Sequence, residues 1–155
     1  LNVQRVRAWG AEMREVHRKL RAALALAREA VEDEGEADLS AGDPLLYCWG
    51  FCAALDGHHR SEDGGLFPRL VELRPDLAPV ISRLRQDHSM INHLIGELQH
   101  AAKNGAGTEE KLRHLDGIEA VMETHFRYEE RKLLDVLDTV DDDTASPTEL
   151  YGPLA

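Results

Sequence analysis

His58-His59-Arg60-Ser61-Glu62-Asp63-Gly64-Gly65-Leu66-Phe67-Pro68-Arg69-Leu70 is echoed later in the chain by His125-Phe126-Arg127-Tyr128-Glu129-Glu130-Arg131-Lys132-Leu133-Leu134-Asp135-Val136-Leu137. His, Arg, Glu and two Leu return at the same offsets, and an acid follows the Glu in both copies. A His and a Glu four residues apart share one face of a helix, a single turn from each other. Two such pairs bring two imidazoles and two carboxylates, a donor set suited to a pair of transition-metal ions. The reading turns on whether the rest of the chain aims further donors at the same place.

Outward from that repeat, the pattern is helical throughout. A first helix is expected from near Val6 to near Glu34, with Val6, Met13, His17, Leu20, Leu24, Ala27 and Val31 on its inner seam. Asp43-Pro44 reads as the start of a second helix, whose seam carries Tyr47, Phe51, Leu55, His58, Glu62 and Leu66. Gly64-Gly65 and Pro68 are expected to loosen or kink its last turns. After Arg74-Pro75-Asp76 a third helix follows Leu77, Ile81, Leu84, His88, Ile91, Ile95 and Leu98. Asn104-Gly105-Ala106-Gly107 ends it. Thr108, backed by Glu109 and Glu110, opens a fourth helix with Leu112, Leu115, Ile118, Met122, His125, Glu129, Leu133, Val136 and Val140 inward. Four long helices with short connections make an all-α, up-down-up-down antiparallel four-helix bundle. Its expected extent is 1–140, with an acidic flexible tail over 141–155.

Each seam carries polar residues where Leu or Ile belongs: His17, His58, Glu62, His88, His125 and Glu129. They also fall at one height. His17 stands ~25 Å from the end of helix 1, and His58 with Glu62 ~21–27 Å into helix 2. His88 lies ~24 Å from the end of helix 3, and His125 with Glu129 ~24–30 Å into helix 4. Burying two carboxylates costs several kcal/mol per ion, by order of magnitude, unless a cation pairs with them. A metal site at this level is therefore expected. The remaining histidines are read as surface or outer residues: His59 is rotated about 100° from His58, His93 lies off its seam, and His100 and His114 sit near helix ends.

Composition narrows the partners. The 155 residues, 43% hydrophobic but only 5% aromatic, suit one helical domain with a single core. A net charge of −11 argues against nucleic acid, whose phosphates attract basic patches. No apolar run approaches the ~18 residues of a membrane span. Cys48 and Cys52 are read as small buried residues compatible with a reducing cytoplasm, the expected location.

The run His58-His59-x-x-Glu62-Asp63-x-x-Leu66-Phe67-Pro68, with His17, Asp87-His88 and His125-x-x-x-Glu129-Glu130, resembles the hemerythrin-like family of HHE cation-binding domains over residues 13–138. The resemblance implies two non-haem iron ions bridged by carboxylates and an oxo or hydroxo species. His17 and His58 would serve one iron, His88 and His125 the other, with Glu62 and Glu129 between them. Oxygen-carrying members have a second His one turn after the third-helix His, where this chain has Asn92. They also place the last carboxylate five residues after its His, which would select Glu130; the internal repeat favours Glu129, with Glu130 as its substitute. Two His per iron would leave positions open, which suits catalase-like decomposition of hydrogen peroxide, or capture of O2 or NO. The alternative is a non-catalytic sensor or binding module with the same centre. A ferritin-like oxidase would carry Glu-x-x-His and a zinc hydrolase His-Glu-x-x-His; neither spacing marks this site.

Overall fold

The computed structural model describes residues 3–34, 45–138, 151 and 153–154. Helix α1 spans Val3–Glu34 and α2 spans Leu45–Ser61. A π-helical turn, Glu62–Leu66, joins α2 directly to the short α3, Phe67–Leu73. A 3-10 turn at Pro75–Leu77 leads into α4, Ala78–Lys103, and α5 covers Thr108–Leu137. With α2 and α3 acting as one broken rod, four helical rods pack antiparallel. α1 lies against α2 and α5, and α4 against α5 and α2, so α1/α4 and α2/α5 are the two diagonals.

Sequence chemistry accounts for the breaks. α4 ends where Gly105 takes φ 76°, a left-handed conformation that costs glycine little. There the Ala106 N–H donates to the Ala101 carbonyl and the Gly105 N–H to that of Ala102, the paired bonds of a Schellman ending. Glu109 and Glu110 occupy the first turn of α5, favourable at the positive end of its dipole. The loosening expected at Gly64-Gly65 takes a definite form: the Phe67 N–H reaches back five residues to the Glu62 carbonyl. That extra residue re-aims the rod, so that Leu66, Phe67 and Leu70 all face inward.

Among the described residues the seams hold with one amendment. Met13, Leu20, Leu24, Ala27 and Val31 on α1 are buried, as are Ile81, Leu84, Ile91, Ile95 and Leu98 on α4 and Leu115, Ile118, Met122, Leu133 and Val136 on α5. On α2 the seam begins at Cys48 rather than Tyr47, which is 54% exposed. Asp43-Pro44, Val140 and the side chain of Val6 lie outside what the structure describes. Fully burying one Leu, Ile or Phe contributes about 1.5–3 kcal/mol, so the apolar layers above and below the polar slab can offset the cost of burying it. The expectation of a loose tail over 141–155 falls mostly outside the described residues. Within that stretch Tyr151 is fully buried and Leu154 packs against the core.

Candidate metal centre

The six polar seam residues converge. His17 from α1, His58 from α2, Glu62 from the π turn, His88 from α4, and His125 and Glu129 from α5 are each no more than 2% exposed. A seventh joins them. His59, expected at the surface, is 1% exposed and stacks on the His88 ring with centroids 3.8 Å apart. A one-residue-wide seam excludes His59, whereas a rod packed between two neighbours buries an arc of 100° or more. His58 turns toward α1, with its ring 5.4 Å from that of His17, and His59 turns toward α4. The signal was available: the adjacent buried pairs Phe51-Cys52 and Leu66-Phe67 bracket His58-His59 on the same rod.

The donor atoms sort into two groups, His59/Glu62/His88/His125 and His17/His58/Glu129, each with all its atoms within 4.8 Å of one another. Two ligands on opposite sides of a first-row metal stand about 4 Å apart, since each lies ~2.0–2.2 Å from it. Each glutamate reaches a histidine of both groups. Glu62 Oε1 is 3.3 Å from His58 Nε2 and 3.3 Å from His88 Nε2. Glu129 Oε1 is 3.3 Å from His17 Nε2, and its Oε2 is 3.1 Å from His125 Nε2.

Outer partners fix which ring nitrogen faces inward. The Nδ1–H of His88 donates to Asp63 at 2.9 Å, that of His125 to Asp87 at 3.0 Å, and that of His17 to Glu130 at 3.3 Å. His58 Nδ1–H donates to the Tyr151 backbone carbonyl at 2.6 Å. These protons follow from their acceptors, and they leave four Nε2 lone pairs pointing into the slab. His88 Nε2 and His125 Nε2 face each other at 3.1 Å. Two lone pairs in that position repel unless a proton or a cation lies between them. Among the described residues, His17 Nε2, His58 Nε2, both nitrogens of His59 and all four oxygens of Glu62 and Glu129 are buried without an aligned hydrogen bond. So many orphaned inward donors of imidazole and carboxylate type fit cations of the zinc, iron or manganese kind.

Electrostatics agree. Burial, then the Glu129 charge, pushes Glu62 well above the usual carboxylate range. Burial also works against ionised Glu129, but the close approach of Glu62, His125 and His17 outweighs it and holds Glu129 well below that range. Burial, then repulsion from His17, lowers His58 to about 3, and burial with His88 beside it drives His59 well down. Both imidazoles are thereby kept neutral, the form that ligates metal.

Asn92, one turn beyond His88, is exposed and lines a surface hollow with Trp49, Asp56 and Arg60, facing away from the slab. The position expected to open beside His88 is therefore not made by Asn92. Glu130 is half-buried and bonds the outer nitrogen of His17, so Glu129 rather than Glu130 faces the slab.

No helix among the described residues is long and apolar enough to cross a membrane. No curated protein and no solved structure matches the chain. One family does: the hemerythrin HHE cation binding domain matches residues 11–138, a span that takes in every residue of both donor groups. With buried His/Glu groups of the right chemistry inside an antiparallel four-helix bundle, the chain belongs to the hemerythrin HHE cation-binding domain family.

Proposed function

We propose that the slab holds two iron ions and reacts with small oxygen species, decomposing hydrogen peroxide or binding O2. The observation that carries the two-ion reading is that Glu62 and Glu129 each touch a histidine of both donor groups. His59, His88 and His125 would hold one ion, His17 and His58 the other, with the two glutamates shared. A pair of irons so held can exchange two electrons with a small oxidant, one from each ion.

The protein's own part is binding, exclusion and proton control. Ligands no more than 2% exposed leave no room for an organic substrate, so the molecules suited to entry are of the size of O2, hydrogen peroxide or NO. Leu55, Ile91 and Met122 are fully buried in the surrounding core and keep the slab dry. Asp63, Asp87 and Glu130 orient their imidazoles and raise the basicity of the inward nitrogens. Counting donors, the His17/His58 side has one imidazole fewer than the other, which makes it the side that accepts the small molecule.

The test is metal analysis of aerobically purified protein combined with oxygen release from hydrogen peroxide. Two irons per chain, with turnover above that of free iron and loss of both on Glu62→Ala, is expected. A single bound zinc would overturn the site reading. Two irons without turnover or O2 binding would overturn the activity and leave the site.

A further inference from the structure

The four histidines with an outer hydrogen bond are not oriented alike. His17, His88 and His125 each have a carboxylate on a neighbouring helix or turn: Glu130, Asp63 and Asp87. His58 instead relies on a backbone carbonyl 93 residues away, that of Tyr151. This partner lies beyond the 11–138 span matched by the family.

The segment that supplies it is held at several points. The Tyr151 ring is fully buried, and its hydroxyl donates to the Trp9 carbonyl at 2.9 Å. Lys19 Nζ donates to the Leu154 carbonyl at 2.7 Å, tying the segment to α1 two residues past His17. Pro153 lies over Gly57 of α2, where a Cβ on the glycine would come within 3.1 Å of its ring. Gly57 directly precedes His58, so the segment seats on the turn of α2 that presents the ligand. A fixed carbonyl at Nδ1 selects one tautomer and one ring orientation and aims Nε2 at the slab.

We propose that Tyr151 is a positioning residue for His58, and that docking of Tyr151, Pro153 and Leu154 sets how firmly the His17/His58 side holds its cation. This rests on the two-cation reading. A neutral carbonyl raises the basicity of an imidazole less than a carboxylate does, and this side already has fewer histidines. The cation there is the labile one, and the docked segment controls its release.

The test uses the full chain, as wild type, Tyr151→Ala and Tyr151→Phe. In metal-free, 15N-labelled protein, long-range proton–nitrogen spectra report which ring nitrogen of His58 carries the proton. Wild type and Tyr151→Phe, which keeps the buried ring, should show Nδ1–H, and Tyr151→Ala should shift toward Nε2–H. After anaerobic loading with ferrous iron, a ferrous chelator should remove one iron roughly 10–100-fold faster from Tyr151→Ala than from wild type, the usual effect of losing an outer partner. The second iron should leave at the wild-type rate. A wild-type His58 protonated on Nε2 overturns the proposal, even if Tyr151→Ala does not fold. So does a Tyr151→Ala chain that releases both irons at wild-type rates. A wild-type chain that takes up no iron would instead sink the two-cation reading, while the proton position on His58 still decides the role of Tyr151.

Discussion

The two copies of the repeated motif sit on the diagonal rods and do parallel work with different outcomes. His58 and His125 each present an inward nitrogen, Glu62 and Glu129 each span both donor groups, and Leu66/Leu70 and Leu133/Leu137 are buried alike. The acid after each Glu turns outward onto a histidine of a neighbouring rod, Asp63 onto His88 and Glu130 onto His17. The next parallel is the instructive one. His59 stacks on His88 at 3.8 Å with planes 12° apart, and Phe126 stacks on His17 at 3.8 Å with planes 7° apart. One position of the repeat thus supplies a flat ring against a ligand in both copies. Only in the first copy can that ring also donate to a metal. A single residue type, His against Phe, converts a near-two-fold arrangement into a three-histidine side and a two-histidine side.

The backbones differ as well. α5 runs unbroken through its copy, whereas the first copy passes from α2 into a π turn at Glu62 itself. The turn brings Phe67 against His88, ring centroids 5.5 Å apart, so His88 is held between His59 and Phe67. His17 has Phe126 on one face and the edge of His58 nearby.

The largest effect expected is on the shared carboxylates. Glu129→Ala or Glu62→Ala should remove both cations, because each side loses a donor; metal analysis after dialysis checks this, and retention of one full equivalent would break the bridging account. Next comes the position that makes the copies unequal. His59→Phe should remove the cation of the three-histidine side and keep the other, with an affinity loss exceeding the roughly 10–100-fold that an outer partner costs. If both ions stay, His59 is only a stacked ring, and the copies are equivalent after all. Outer carboxylates rank third. Asp63→Asn should weaken binding about 10–100-fold, and Glu130→Gln less, its bond to His17 being 3.3 Å against 2.9 Å for Asp63. Competitive titration with a chelator would order them.

A pH effect separates the copies in the metal-free protein. His58 titrates at about 3 in the fold against 6.5 as a free imidazole, so the unfolded chain takes up that proton first. Stability is therefore lost as pH falls from 6.5 toward 3. For His125, burial alone would lower the pKa, but Glu129 and Asp87 outweigh it and raise it. Its contribution is present below 6.5 and fades as pH rises through the folded value. Denaturant melts across pH 4–7, by order of magnitude the window these shifts define, should flatten on the acid side in His58→Gln and steepen there in His125→Gln. The smallest effect expected is Asn92→His, which should change neither metal content nor peroxide turnover, because the exposed side chain does not reach the slab.

Much of this was legible in the sequence because helical period and bundle topology turn residue number into height and face. Four seams and one polar slab followed from Leu, Ile and His spacing alone. What escaped depended on widths and partners that period does not encode. His59 fell outside a seam treated as narrow. The π turn was announced by Gly64-Gly65, but its register was not. Asn92 was placed one turn from His88, yet α4 faces inward at Leu84, His88, Ile91 and Ile95, which leaves 92 outside. Tyr151 could not be found by period at all, since its role is a backbone carbonyl delivered across 93 residues.

The central claim is that two ions share Glu62 and Glu129, and magnetic measurement on the iron-loaded wild-type chain tests it most directly. Low-temperature Mössbauer spectra with magnetic susceptibility, taken alongside iron analysis, would count the ions and report whether their spins are coupled. The account predicts two irons per chain whose spins are coupled through the shared bridges. One iron per chain, or two with independent spins, would contradict it.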